Sequence, residues 1–212
     1  MEPLETLSNE HGLIRQFLDN LTMAANHIEN GRRPSTAFFD KALEFAATFN
    51  DPQEDYFNGD DPPKEHPETL EETQKLLDRI LNRLPDADII DYAIHKKDND
   101  EMIGCGMIAL INRYNRRCAL GIGLGWNRDN WGKGYASETL QAVVAYCFKE
   151  LELNRIEAEI YEFNTPSIRL FERNGFRRDG IRRQYIFKDG VFKDELLYSL
   201  LREDWEKQGK SI

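Results

Sequence analysis

The sequence predicts an α+β fold, a mixed and mainly antiparallel sheet flanked by helices and preceded by an N-terminal helical hairpin. Three observations carry that expectation. From Ile89 onward, stretches of strand-like and helix-like patterning follow one another in the order βββ-α-β-α-ββ. Residues 1–34 contain no strand pattern, and two amphipathic stretches occupy most of residues 7–49. Between the third strand and the helix after it lies a glycine-rich turn, "NWGKGYASETL", from Asn130 to Leu140.

In the first stretch Leu7, Ile14, Phe17, Leu18, Leu21, Ala25 and Ile28 recur mostly at steps of three and four, and Gly31 and Pro34 stop the helix. Ser35 is placed to cap a second helix carrying Phe38, Phe39, Ala42, Leu43, Ala46 and Phe49 on one broad face. Two such neighbours form a hairpin. The run "NDPQEDYFNGDDPPKEHP", Asn50 to Pro67, is rich in Asp, Pro and Gly and marks a boundary between residues 1–50 and 51–212. Thr69 and Glu72 then fit a capping box opening a helix that ends near Pro85.

Strand patterns follow around Ile89 to His95 and from Met102 to Ile111, joined by the turn "DNDE", and a third begins in "RRCALGIGLG" after "NRYN". Short connections make these an antiparallel meander. Gly121, Gly123 and Gly125 are odd in a strand, because glycine weakens it unless a bulge or a closely approaching chain or ligand needs the space. The next helix places Ala136, Leu140, Val143, Val144, Cys147 and Phe148 on one face. A strand from Arg155 to Tyr161, a short helix from Thr165 to Arg173 stopped by Gly175, and the strands "GIRRQYIF" and "DELLYSLL", joined through Lys188 to Gly190, complete the chain.

Composition narrows the function. The 212 residues carry a formal net charge of -10, which disfavours a nucleic-acid partner, since phosphate backbones call for clustered Lys and Arg. Cationic small molecules or basic peptides are favoured instead. Three widely spaced cysteines, Cys105, Cys118 and Cys147, form no C-x-x-C pair and read as reduced core thiols. The sequence shows neither a membrane-length apolar run nor a secretory leader, so a cytoplasmic location is expected.

A glycine-rich turn that opens a helix directs several backbone N–H groups to one point, and the helix dipole favours an anion there. Phosphate is the expected occupant. The turn has neither Walker nor G-x-G-x-x-G spacing, and glycines serving turn geometry alone are the competing reading.

The run from Arg116 to Leu140, with "NRIEAEIYEFNTPSIRLFERNGF" from Asn154 to Phe176, resembles the GNAT superfamily of acyl-CoA-dependent N-acetyltransferases, specifically the branch that acetylates ribosomal-protein N-termini and its small-molecule relatives. The family turn has the form Q/R-x-x-G-x-G/A, and here it falls on Trp131, Gly132, Lys133, Gly134, Tyr135 and Ala136, with Trp at the first position. Asn164 and Ser167 match an N-x-x-S element, and Arg173 to Phe176 an "RNGF" element. The resemblance runs from near Asp51 to Trp205, without a recognisable first strand. It implies acetyl-CoA as cosubstrate, held through its pyrophosphate at residues 131–137 with Asn164 contributing; the turn context favours Lys133 as a phosphate partner over a plain surface charge. It also implies a strand that bulges, splays from its neighbour and pairs with the pantetheine arm; Leu124, Gly125 and Trp126 are the matching positions.

Acetyl transfer to an amine needs a neutral nucleophile, a held oxyanion and a proton for the departing thiolate, and needs no metal. Where many members of the family place an acidic Tyr, this chain has Phe171, so Ser167 is the candidate catalytic hydroxyl, with helix capping as its alternative role. Where the branch often has a Glu base, the chain has Gly121. Glu157, Glu159 and Glu162 remain as water-relayed candidates or as a solvated strand face. His66 and His95 are isolated. The implied acceptor is a primary amine, either a protein N-terminus or a small amine such as a polyamine, and a homodimer is possible. A catalytically impaired acyl-CoA-binding module is the alternative.

Residues 7–49 resemble instead the first two helices of hemerythrin-like domains, with His11 at a ligand position. The downstream His and Glu ligands are missing, so no metal is expected.

Overall fold

The computed structural model describes residues 75, 88–99, 101–124 and 128–209. The expected hairpin with His11, the 50–67 boundary, His66, most of the helix after Thr69, and Gly125 and Trp126 lie outside the described residues. Lys75 is helical.

Six strands form one sheet: β1 (Ile90–His95), β2 (Met102–Asn112), β3 (Arg117–Leu124), β4 (Arg155–Tyr161), β5 (Arg177–Lys188) and β6 (Val191–Leu201), in the spatial order β1-β2-β3-β4-β6-β5. Helices α1 (Tyr135–Lys149) and α2 (Thr165–Arg173) connect strands, and α3 (Arg202–Lys207) follows β6. All neighbouring pairs are antiparallel except β3 with β4. That exception follows from connectivity, since α1 carries the chain back between them as a crossover.

Period-two patterning sets which face of each strand is buried. In β4, Ile156, Ala158 and Ile160 are buried and alternate with Arg155, Glu157, Glu159 and Tyr161. The same core holds Leu140, Val143, Val144, Cys147 and Phe148 of α1, with Leu196, Tyr198 and Leu200 of β6. Cys118 and Cys147 are free thiols buried in it, whereas Cys105 is half-buried. Ala136, expected on this apolar face, is half-buried outside the core cluster, because it lies in the first turn where α1 leaves the sheet. Arg202 closes the far end of α1, its guanidinium donating to the carbonyl oxygens of Leu153, at 3.0 Å, and Phe148.

Several boundaries differ from expectation. β5 begins at Arg177 rather than Gly180, and its mostly exposed, twice-shifted register against β6 hides the alternation that would have marked it. Its hairpin turn is as expected, with Asp189 and Gly190 both at positive φ (53° and 77°). A short 3-10 turn at Arg128–Asn130 and helix α3 carry too few residues for a periodic signal.

Parallel pairing of β3 with β4 covers only Arg117↔Arg155 to Ala119↔Glu157. Beyond Ala119 the two strands part while β3 stays paired to β2 as far as Leu124. The splay implied by the family resemblance is therefore present, while Gly125 and Trp126, where the resemblance places the bulge, lie outside the described residues. Among the described residues a bulge occurs instead on the neighbouring strand. The extra residue sits on β2 between Ala109 and Asn112, where Leu110 has φ 52°.

Candidate functional site

The mouth of this splay is filled from below by the turn and the start of α1. Gly132 and Gly134 adopt φ +73° and +91°, the left-handed region that side-chain-bearing residues rarely enter, and the space above both is open. Conformation rather than crowding requires glycine here. Gly134 caps α1 with no side-chain hydrogen bond, and the first intrahelical bond at this end runs from the Glu138 N–H to the Gly134 oxygen at 3.0 Å. The N–H groups of residues 135–137 precede that bond and point out of the helix end, where the macrodipole is positive.

A cavity of about 440 Å³ lies over this helix end, walled by Ile122, Gly123 and Leu124 of β3, by the turn, and by the start and inner face of α2. It brings together Leu124, Trp131, Gly132, Gly134, Tyr135, Ala136, Ser137, Asn164 and Ser167, residues spread over forty-four positions of the sequence from 124 to 167. The exposed Lys133 side chain is not in the lining.

Asn164 has a local duty. It caps α2, its Oδ1 accepting the Ser167 backbone N–H at 3.1 Å, with Pro166 in the first turn. Because the cap uses the backbone of Ser167, the Ser167 hydroxyl is left over on the cavity wall. Ser137 is tied differently. Its hydroxyl lies 3.1–3.2 Å from both ends of the Asn174 amide, which also accepts from Gln141 at 3.0 Å and donates to the Leu170 oxygen at 2.8 Å. Buried Asn174 thus braces the start of α1 against the end of α2.

Arg169 belongs to no sequence motif, and Arg173 stands out in the sequence only within the RNGF element. Both exposed cations stand one helical turn apart on α2 and line the cavity. Their i, i+4 spacing in an acidic chain was the available signal.

The remaining chemistry candidates lie elsewhere. Phe171 is buried edge-on to Phe176, ring centroids 4.9 Å apart, and faces the core. Glu157 accepts from Arg117 at 3.0 Å and from Arg155 at 2.7 Å, and Glu159 pairs with Arg182 at 2.8 Å. Glu162 is exposed. None of the three lines the cavity. His95 is buried at the end of β1. A carboxylate not singled out beforehand, Glu195, is buried on β6 opposite Tyr161 and bonded to Arg182 at 2.6 Å. Burial raises its carboxyl above the ordinary range; Arg182 opposes this and neighbouring Glu159 adds to it. Among the described residues no group of His, Cys, Asp and Glu could hold a metal, and no helix is long and apolar enough to cross a membrane.

A family profile described as "Acetyltransferase (GNAT) domain" matches residues 33–177. An uncharacterized N-acetyltransferase of Bacillus licheniformis is 40% identical over 114 residues, which is 54% of this chain and 63% of the relative's own length. The crystal structure of a GNAT-family acetyltransferase from Bacillus anthracis is 26% identical, with TM-score 0.62, covering 78% of this chain and 91% of that one. A spermidine N-acetyltransferase from Vibrio cholerae, crystallised with CoA and spermine, shares the fold at TM-score 0.68 and 18% identity, over 79% of this chain and 93% of that one. With a splayed sheet, a glycine turn at a helix start and a profile match over most of its length, the chain belongs to the GNAT acetyltransferase domain family.

Proposed function

We propose that this protein transfers an acetyl group from acetyl-CoA to a primary amine. The observation that carries the reading is the open, positive-φ turn at Gly132 and Gly134, set under the gap between β3 and β4. The unpaired N–H groups at the start of α1 suit a pyrophosphate, and Arg169 and Arg173 add positive charge beside it. The unpaired tail of β3, ending at Leu124, suits an extended amide-bearing arm that takes the place of β4.

In this reading the amine nitrogen bonds to the thioester carbonyl carbon, the C–S bond breaks, and the thiolate takes up a proton. Ser167, on the cavity wall with its hydroxyl not engaged in the cap, is the proposed relay for that proton, passing its own to the thiolate and taking in return the one that the newly acylated nitrogen releases. Backbone N–H groups around Leu124 are proposed to hold the oxyanion. With Glu157 and Glu159 neutralised by arginines, deprotonation of the ammonium falls to water rather than to one strong base. An acidic chain attracts a cationic acceptor, so a small polyamine is the first acceptor to test and a protein N-terminus the second.

A second reading, an acyl-CoA-binding module without turnover, is favoured by Phe171, which has no proton to give and is turned into the core. Calorimetric titration with acetyl-CoA followed by a thiol-release assay over a panel of amines separates the two. Binding with release is expected; binding without release for any amine supports the module, and no binding overturns both.

A further inference from the structure

The segment of β3 that borders the cavity leaves β4 at Ala119, yet the structure supplies it with a different support. Tyr92 of β1 stands directly across from Gly106 of β2, which in turn faces Ile122 of β3. With no side chain at Gly106, the Tyr92 hydroxyl reaches over β2 and donates to the Gly121 carbonyl oxygen at 2.9 Å. The fit is close. A Cβ at Gly106 would fall 2.3 Å from the Tyr92 hydroxyl oxygen and 2.4 Å from the Gly121 oxygen, and one at Gly104 would fall 2.3 Å from the Gly123 oxygen. The carbonyls of Gly121 and Gly123, two residues apart on β3 and just before Leu124, therefore lie over two bare positions of β2.

We propose that Tyr92 is a positioning residue for the cosubstrate: by holding the Gly121 carbonyl across Gly106, it sets the twist of residues 122–124, and so aims their free edge at the amide-bearing arm of acetyl-CoA. A strand held on one edge only can rotate about its axis, and each degree of rotation re-aims the donors and acceptors on the other edge. A side-chain hydrogen bond to a carbonyl two residues beyond the last β4 pair resists that rotation where it would begin. Tyr92 is buried, and burial, with Cys147 and Cys105 nearby, pushes its phenol well above the ordinary range, so it stays a donor at any working pH. The role rests on the proposed binding of acetyl-CoA in this cavity.

The test compares two probes on the full chain by calorimetry: CoA, which has the arm, and 3′-phospho-ADP, which has the phosphates and adenosine but no arm. Tyr92→Phe removes one oxygen and keeps the ring. It is expected to weaken CoA binding about three- to tenfold, the size of one lost hydrogen bond, and to leave 3′-phospho-ADP within about twofold. Gly106→Ala, whose added methyl would drive the hydroxyl and the carbonyl apart while Tyr92 keeps its phenol, should give the same selective loss. Ile94→Val, a truncation in the buried part of the same strand, serves as comparator and should leave the ratio of the two affinities unchanged. Equal weakening of both probes by Tyr92→Phe, no weakening of either, or an Ile94→Val ratio shifted as far as that of Tyr92→Phe overturns the positioning role alone. Wild-type protein that binds neither probe overturns the acetyl-CoA reading and the positioning role with it.

Discussion

Ser167 can be tested cleanly because its two possible duties use different atoms. The helix cap takes its backbone N–H, so Ser167→Ala leaves Asn164 with its partner and removes only the hydroxyl. If that hydroxyl protonates the thiolate, kcat should fall by about a hundredfold, the lower range for general acid catalysis, while acetyl-CoA affinity and Tm stay unchanged. A variant with normal kcat would show the hydroxyl to be a bystander. Glu195 offers a prediction about pH. Arg182→Ala leaves a buried carboxylate without its cation, which should cost about 1–3 kcal/mol at pH 8 by urea unfolding, toward the low end because Arg182 is itself partly exposed. The Glu195 carboxyl already sits above its ordinary value in the folded protein and rises further without Arg182. The folded variant therefore binds a proton sooner than the unfolded chain as pH falls, and the deficit should shrink at pH 5. A deficit that grows toward low pH would show that Arg182 does not hold down the proton affinity of Glu195. Ser167 was legible from its motif, but the Glu195 pair was not: Glu195 is one carboxylate among thirty-eight acidic residues, and its burial depends on strands that meet only in the sheet.

The turn, helix and strand tail behave as one unit. Replacing Gly134 by Ala forces a Cβ into φ +91°, at a cost of about 1–2 kcal/mol, and turns an amide away from the cavity. Gly190 is strained alike, at φ +77°, but lies in the β5–β6 hairpin turn and lines no part of the cavity. Gly134→Ala and Gly190→Ala should therefore lower Tm by similar amounts in a melt, while only the first weakens CoA by about tenfold or more in calorimetry. Equal affinity for the two variants would mean that the turn does not hold the phosphates. Elements with strong periodicity were legible: α1, α2, β4 and the β5–β6 turn fall where their patterns place them. The first three residues of β5 carry no such signal, because most of its side chains are exposed on both faces and bulges shift its register, which erases the period of two.

For the molecule as a whole, ligand linkage gives a direct check. CoA at a hundred times its Kd should stabilise the fold by about 2.7 kcal/mol and raise Tm by roughly 5–10 °C, if it binds the native state alone. An unmoved Tm at saturating CoA would contradict the cavity assignment. We propose that the apolar faces of residues 7–49 pack on the acetyltransferase domain or between chains. Removing residues 1–34 should then change solubility or oligomeric state by size exclusion, and an unchanged, soluble oligomer would refute that packing. By itself, the sequence determined the α+β class, the order of strands and helices from Ile89, and the turn that opens α1, because these rest on local periodicity and on the backbone freedom of glycine. Tertiary structure decided what is not local. It parted β3 from β4 after Ala119, put a bulge on β2, turned Phe171 inward, buried Glu195 against Arg182, and carried the Tyr92 hydroxyl across a bare glycine to a carbonyl 29 positions away. Each of these depends on which chains lie side by side, and no short-range pattern encodes that.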